Sequence, residues 1–384
     1  MHPLPRSVLL AAALIVPAAA FTAACGESGN AAAKPAPTVA APSGLQQQLQ
    51  QVVEAGSPGA IALVNDGHSV KVRAAGATDT GGARALRPTD RFRAGSITKS
   101  FVATVALQLV GERRLSLSDT VEHWLPGILP YGEHVTVRQL LNLTSGVPDN
   151  QGPVEEEYLK GNMTRSWSPR ELVALVADQK PDFAPGTSWA YSNTNYMLAG
   201  LVIERVTGHR LGREVERRIL APLRLRDTSF PVNESRIDGS HMSGYAFLDG
   251  EMVDVTVLNP SGHWAAGNLV STAADVAHFW HALLGGQLLA PRQLAAMKTT
   301  VPAWEGTQHR YGLGLMKYPG PCGTVWGNGG AIAGYSNDFQ NNEDGTRQTA
   351  VIVDVNPAPD TVDEARHAAL DTAMADALGR SGPC

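Results

Sequence analysis

Between Ile97 and Val110 the only charged side chain is Lys99. Ile97, Phe101, Val105 and Leu109 recur every fourth position and Gly111 stops the run, so the stretch predicts a largely buried helix. Burial of that helix constrains the rest of the chain, because an amine at its first turn is carried out of water with it. Ser96 lies three residues before Lys99, on the same helical face. A buried lysine loses basicity, and a neutral amine beside a hydroxyl can take its proton. The first-turn amides add partial positive charge where an anion would form. Ser96 is therefore the candidate nucleophile and Lys99 its base. A bare Ser-x-x-Lys arises easily by chance, as a helix cap beside a solvated lysine, but this is the only one in a chain with seven lysines.

The pattern on either side of this helix sets the fold class. A helix over Leu45 to Ala55 and strands over Ala60–Val64 and Val70–Ala75, joined through Asn65-Asp66-Gly67, come before it. From Leu115 to about Leu284, short helical segments alternate with Pro and Gly: Val137–Leu143, Ser168–Val176 with Ser168 as cap, Tyr196–Thr207 closed by Gly208, and Ala273–Leu284. Strand character returns over Tyr311–Met316, Thr324–Trp326, Gly334–Phe339 and Thr346–Asp354, with Asp344-Gly345 turning the last pair, and Asp360–Leu378 closes as a helix. Strands at both ends with helices between predict an α/β (α+β) chain, an antiparallel sheet flanked by helices with an inserted all-helical lobe. The expected lobes are residues 44–114 with 285–384, and 115–284, and the cleft between them is the expected place for chemistry.

At 384 residues, 43% hydrophobic and 17% charged, the chain is long enough for a substantial core. A net charge of −5 without regional blocks gives no footprint for nucleic acid. The short run Glu155-Glu156-Glu157 reads as a solvated face. No motif for a cofactor or a metal is found: C-x-x-C, His-Glu-x-x-His and phosphate-binding glycine loops are all missing.

Residues 1–24 read as an export signal, with an apolar run over 7–21 too short to span a membrane. Thr22-Ala23-Ala24-Cys25 resembles a bacterial lipoprotein cleavage site, which would make Cys25 the lipid-bearing first residue; an ordinary secretory signal cut nearby is the alternative. Residues 25–43, rich in Ala, Pro and Gly, read as a disordered tether. The expectation is an exported protein, either an envelope lipoprotein on the outer face of the cytoplasmic membrane or a secreted one, touching the membrane only through the anchor. With Cys25 lipidated, Cys322 and Cys384 remain as a pair able to form a disulfide.

Two more elements complete a Ser-x-x-Lys site. Tyr191-Ser192-Asn193 follows the turn-like Ala184-Pro185-Gly186-Thr187 on a loop. The Tyr191 phenol can exchange protons with Ser96 or a leaving group, and Asn193 can donate to an acyl-amide oxygen. A second Tyr-Ser-Asn, Tyr335-Ser336-Asn337, lies inside a predicted strand and reads as sheet residues.

The residues Ser96-Ile-Thr-Lys99, Leu140-Leu-Asn-Leu-Thr-Ser-Gly-Val-Pro148, Tyr191-Ser-Asn-Thr-Asn195 and Tyr311-Gly-Leu-Gly-Leu315 resemble the serine β-lactamase and penicillin-binding superfamily, and most nearly the Streptomyces-type D-alanyl-D-alanine carboxypeptidases. The resemblance covers about residues 45 to 380. It implies a serine acyl-enzyme, with Ser96 attacking, Lys99 and Tyr191 moving protons, Asn193 orienting substrate, and the backbone amides of Ser96 and Ala331 forming an oxyanion hole. Where that family carries Lys or His followed by Thr or Gly and then Gly, this chain has Asn328-Gly329-Gly330. Asn328 is neutral, and Met316 stands where an arginine would meet a substrate carboxylate.

The leading expectation is a D-alanyl-D-alanine carboxypeptidase acting on peptidoglycan stem peptides and acylated by β-lactams. An esterase, amidase or weak β-lactamase on the same machinery is the second reading, and a non-catalytic wall-binding or β-lactam-sensing lipoprotein the third. For the anchor, wild-type protein expressed from the full chain is expected in the membrane fraction and Cys25→Ala in the soluble fraction; equal solubility of the two removes the lipoprotein reading.

Overall fold

The computed structural model describes residues 44–320 and 323–377. Cys25, Cys322 and Cys384 lie outside the described residues, as do the export signal and the tether.

Eight antiparallel strands form the main sheet. Across it the order is Val70–Gly76, Gly59–Asn65, Gln348–Val353, Tyr335–Asn341, Gly323–Ile332, Met316–Gly320, Arg310–Tyr311 and Val301–Pro302. Thus a strand laid down before residue 66 pairs with one laid down after 347, with Ala62 opposite Val351. These two paired strands are mostly apolar and buried on both faces, and their side chains alternate between two cores. Ala60, Ala62, Val64, Val351 and Val353 pack with Leu45, Leu49, Val362, Ala369 and Ala373 of the terminal helices Gly44–Glu54 and Asp360–Ala377. Ile61, Leu63, Ala350 and Ile352 face the larger core, built on the helices Thr98–Gly111, Thr194–Thr207 and Ala273–Leu284. Phe101 stacks on Phe279 there, with ring centroids 3.7 Å apart.

The Thr98–Gly111 helix is buried on all sides, nearly every residue from Thr98 to Leu109 being covered, and its polar side chains Thr98, Lys99, Ser100 and Thr104 are hydrogen-bonded inside the fold. Such a helix is held by packing rather than by an amphipathic face. The smaller helices are set by local chemistry. Thr136 with Gln139 and Ser168 with Glu171 form capping boxes, Thr272 caps Ala273–Leu284, and Gly208 ends Thr194–Thr207 in the left-handed conformation.

Three parts of the sequence reading need correction. The stretch from 115 to 284 is not all helical, since Tyr245–Leu248 and Glu251–Asp254 pair as a hairpin. Its turn is Asp249-Gly250, both at positive φ, which is the dipeptide signal for such a hairpin. The expected strand Tyr311–Met316 is two short strands around a tight turn, in which the Gly312 amide donates to the Leu315 carbonyl at 2.7 Å and Gly314 takes φ +72°. The expected strand Thr324–Trp326 extends through the glycine-rich segment to Ile332. Glycine within a strand marks a place where other backbone comes close, and glycine's weak strand propensity hides the element from a pattern reading.

That close approach is what positions the site. A Cβ on Gly330 would lie 2.0 Å from the Ala94 carbonyl oxygen, and one on Gly95 2.8 Å from the Ala331 oxygen. Gly330→Ala must push the strand off the residue two before Ser96, at a cost of about 1–3 kcal/mol of overpacking or more. The expected outcome is a Tm lowered by several degrees together with slower acylation at Ser96; a variant that melts and acylates like wild type removes this account.

Candidate active site

Ser96 sits in a single 3-10 turn, Gly95–Ile97, that leads into the buried helix. Gly95 has φ +54°, which turns the chain from the short strand Phe92–Arg93 into the helix. Thr98 Oγ1 donates to the Gly95 carbonyl at 2.7 Å and accepts from the Leu269 amide at 3.1 Å, clamping the turn from beneath. Ser96 itself stays partly exposed, while Lys99 one turn on is fully buried.

Lys99 Nζ lies 3.0 Å from Ser96 Oγ, 2.7 Å from Asn193 Oδ1 and 3.0 Å from the Ala266 carbonyl oxygen. The Tyr191 and Tyr196 rings flank it, 4.8 and 5.6 Å from the amine. All three hydrogen-bond partners are neutral, and among the described residues no carboxylate pairs with this amine. Loss of water therefore dominates and brings the Lys99 pKa down to about 7, with Asp149 nearby opposing the shift. A neutral Lys99 spends its two N–H bonds on Asn193 Oδ1 and the Ala266 carbonyl. Its lone pair is then aimed at the Ser96 hydroxyl.

Tyr191 Oη is 2.6 Å from Ser96 Oγ. Burial first, and the neighbouring Tyr311 next, raise its phenol above the usual tyrosine range, so it stays protonated at neutral pH and suits a proton donor. The loop carrying Tyr191 is laced to the loop after the helix Val137–Leu141. Thr194 Oγ1 donates to the Pro148 carbonyl at 2.7 Å, Ser145 Oγ to Asn195 Oδ1 at 2.5 Å, and the Asn193 amide to Asp149 Oδ1 at 2.8 Å. This lacing joins the Leu140–Pro148 and Tyr191–Asn195 stretches into one unit.

Asn193 differs from the expectation that it would present a free donor to substrate. Its Oδ1 accepts from Lys99, and its Nδ2 donates to Gln151 Oε1 at 2.8 Å and is directed at Asp149 Oδ2 at 3.4 Å. Asp149, Gln151, the Ala266 carbonyl and His263 did not emerge from the sequence. The signal for the first two was their place within three residues after Pro148. His263 is half-buried near Lys99, and loss of water around the ring, together with the Lys99 and Arg93 charges, holds its imidazole neutral with a pKa down to about 3.

On the opposite wall, Asn328 is 3% exposed, and its Nδ2 reaches Ser100 Oγ at 3.3 Å and the Ser96 carbonyl at 3.4 Å. It joins the strand to the nucleophile helix rather than facing a substrate. Gly329 is partly exposed, Gly330 is buried under Ala94, and Ala331 is exposed beside the nucleophile turn. Met316 is buried. The second Tyr-Ser-Asn is a bracket: Tyr335 Oη donates to the Met242 carbonyl, and Asn337 Nδ2 to the carbonyls of Arg93 and Gly330. Among the described residues no cluster of His, Cys, Asp and Glu is arranged to hold a metal ion.

Residues 45–374 match the family model described as Beta-lactamase. The chain belongs to the β-lactamase family. Among solved structures of similar fold is a D-stereospecific amidohydrolase from Streptomyces sp., 41% identical with a TM-score of 0.77, over 84% of this chain and 97% of that one. Another is the D-amino acid amidase of Ochrobactrum anthropi SV3, 27% identical with a TM-score of 0.77, over 87% of this chain and 97% of that one. By sequence the chain is similar to the putative penicillin-binding protein PbpX of Bacillus subtilis, 26% identical over 78% of this chain and 71% of the relative. It is also similar to the esterase EstB of Burkholderia gladioli, 34% identical over 54% of this chain and 56% of the relative. The β-lactamase family thus places this chain among serine hydrolases that include amidases, an esterase and penicillin-binding proteins.

Two outcomes test the assembly. Ser96→Ala is expected to lower turnover by about three powers of ten or more, with the Tm changed by less than about 2 °C. The pH profile of kcat/KM for acylation is expected to rise with pH through a midpoint near 7, as Lys99 loses its proton. The same depressed pKa makes the unfolded chain bind more protons than the folded one between about pH 7 and the ordinary lysine value, so stability rises with pH across that window. A flat profile from pH 5 to 9 would show that Lys99 is not the base.

Proposed function

We propose that this chain is a serine acyl-enzyme hydrolase that cleaves amides and esters of D-amino acids or short D-configured peptides. The observation that carries the mechanism is the pair of contacts on Ser96 Oγ, a buried amine at 3.0 Å and a protonated phenol at 2.6 Å. Ser96 attacks the substrate carbonyl as its proton passes to Lys99. The oxyanion forms against the Ser96 and Ala331 amides. Tyr191 protonates the departing amine or alkoxide, and Lys99, which holds the serine proton, returns it to the Tyr191 oxygen. Water then attacks the ester carbonyl as it gives a proton to the same pair, the bond to Ser96 Oγ breaks, and the pair returns that proton to Oγ as the acid leaves.

The preference for the D-series draws on the similarity to the D-stereospecific amidohydrolase and the D-amino acid amidase. A neutral leaving group is favoured over a terminal D-alanine carboxylate by two observations. The two positions expected to answer a carboxylate, Asn328 and Met316, are both neutral and buried. On the Asn193 side stand two carboxyls, Asp149 at Asn193 and Glu155 at Gln151, a setting that suits a substrate amine better than an anion. The carboxypeptidase reading on peptidoglycan stems lacks the charged hydrogen bond, about 1.5–3 kcal/mol, that a carboxylate-bearing substrate would use. Export and a lipid anchor at Cys25 remain part of the proposal on the strength of the N-terminal sequence.

The test is purified protein with D-phenylalanine amide, its L-enantiomer, a D-alanyl ester, a D-Ala-D-Ala peptide and a fluorescent penicillin, followed by intact mass. The D-amide and ester are expected to turn over through acylation at Ser96, and the peptide at least about tenfold more slowly. D-Alanine released from the peptide as fast as the amide is cleaved restores the carboxypeptidase reading. Failure of all five to acylate Ser96 overturns the proposal.

A further inference from the structure

The run Glu155-Glu156-Glu157 does not behave as one solvated face. Glu156 is exposed, and Glu157 lies at the surface, bonded to Lys160, Asn162 and Arg165. Glu155 turns inward, and its Oε1 accepts a 2.6 Å hydrogen bond from Gln151 Nε2, one helical turn earlier in Gln151–Leu159. Gln151 Oε1 in turn accepts from Asn193 Nδ2 at 2.8 Å, and Asn193 Oδ1 accepts from Lys99 at 2.7 Å. A continuous row of side chains therefore runs from a carboxylate to the amine beside Ser96.

Each amide in this row could be turned over with little change of shape, exchanging its oxygen and nitrogen. A charged Lys99 would itself select the Asn193 orientation seen here, because an ammonium needs an acceptor. A neutral Lys99 would not, since its lone pair can accept from an Asn193 N–H. In that turned-over state the lone pair is occupied by Asn193 and cannot take the Ser96 proton. Something other than Lys99 must hold Asn193 when the amine is in its working form. Asp149 contributes through the weaker 3.4 Å contact to Nδ2. The shorter bond comes from Gln151, which presents its oxygen because Glu155, an acceptor only, claims its nitrogen.

We propose that Glu155, acting through Gln151, is a positioning residue that keeps the Asn193 oxygen on Lys99 and so leaves the Lys99 lone pair free for Ser96. Its role rests on the hydrolase reading above. The groups facing Lys99 are Ser96 in the turn before its helix, Tyr191 and Asn193 on one loop, Asp149 on another, the Ala266 carbonyl, Tyr196 on the Thr194–Thr207 helix, and the neutral His263. Of the others only Asp149, through its weaker 3.4 Å contact with Nδ2, bears on which end of the Asn193 amide meets the amine.

The test compares Glu155→Ala, Glu155→Gln and Gln151→Leu with wild type, using acylation by a D-alanyl ester and, independently of activity, NMR titration of Lys99 labelled at Cε. In Glu155→Ala the plateau of kcat/KM is expected to fall about tenfold, the worth of one hydrogen bond. The Lys99 midpoint should move to lower pH, because an Asn193 NH2 turned toward the amine opposes its protonation. Glu155→Gln keeps an acceptor and is expected to return both readouts close to wild type. Gln151→Leu should match Glu155→Ala, and the double variant should be no worse than either. Unchanged Lys99 titration in both single variants overturns the proposal, as does Glu155→Gln impaired as much as Glu155→Ala, which would make the effect one of charge. Should Glu155→Ala fail to fold, Gln151→Leu with its own titration decides the matter. A wild type that the ester does not acylate refutes the hydrolase reading, while the NMR titration still reports on the row of hydrogen bonds.

Discussion

The arrangement depends on the withdrawal of one amine from water. Lys99 is fully buried and meets only neutral oxygens at hydrogen-bonding distance. An ion pair at the same place would return its pKa toward the ordinary lysine value and remove its use as a base near neutral pH. The nearest influence of opposite charge, Asp149, is coupled to it by field and not by contact, and it touches Asn193 instead. The site therefore separates two demands. Neutral carbonyl oxygens satisfy the N–H bonds, and an apolar helix with two tyrosine rings keeps solvent away.

Keeping the amine dry while leaving Ser96 reachable requires elements to pass at backbone distance. Glycine supplies this at each crossing. Gly330 lies against the Ala94 carbonyl and Gly95 against Ala331, while Gly314 lies over the helix, where a Cβ would be 2.6 Å from that of Ala103 and 3.0 Å from the Lys99 carbonyl oxygen. The Gly314 carbonyl also accepts from Ser100 Oγ at 2.6 Å, so the turn that interrupts the expected Tyr311–Met316 strand is part of what holds the nucleophile helix in place. Asn328 works in the same sense, bonding Ser100 and the Ser96 carbonyl. A side chain expected to greet substrate is spent on joining two walls of the site.

Machinery of this kind forms and breaks an acyl-enzyme without specifying the acyl group. That agrees with a family whose relatives include amidases, an esterase and penicillin-binding proteins. The contacts on Ser96 Oγ therefore leave the choice of substrate to residues beyond the nucleophile, base and phenol.

The sequence by itself determined the chemistry-bearing centre. A serine and a lysine three residues apart at the head of an apolar helix must share a face, and that helix must be buried, because both follow from helical geometry and from the lack of any polar side to expose. It also determined the mixed class and most elements, since hydrophobic period and caps are local properties: Ala273–Leu284 has the expected bounds, and Ser168 and Gly208 stand where caps were read. The two Tyr-Ser-Asn runs were separable for the same reason, one following a turn and the other alternating within a strand. Only the tertiary structure decided what the polar side chains touch. Whether Glu155 faces water or Gln151, whether Asn193 serves substrate or lysine, and whether Asn328 lines the cleft or bridges its walls depend on neighbours far away in the chain. A hydrogen bond is satisfied by whichever partner the fold brings within about 3 Å, and no local pattern of residues encodes that distance.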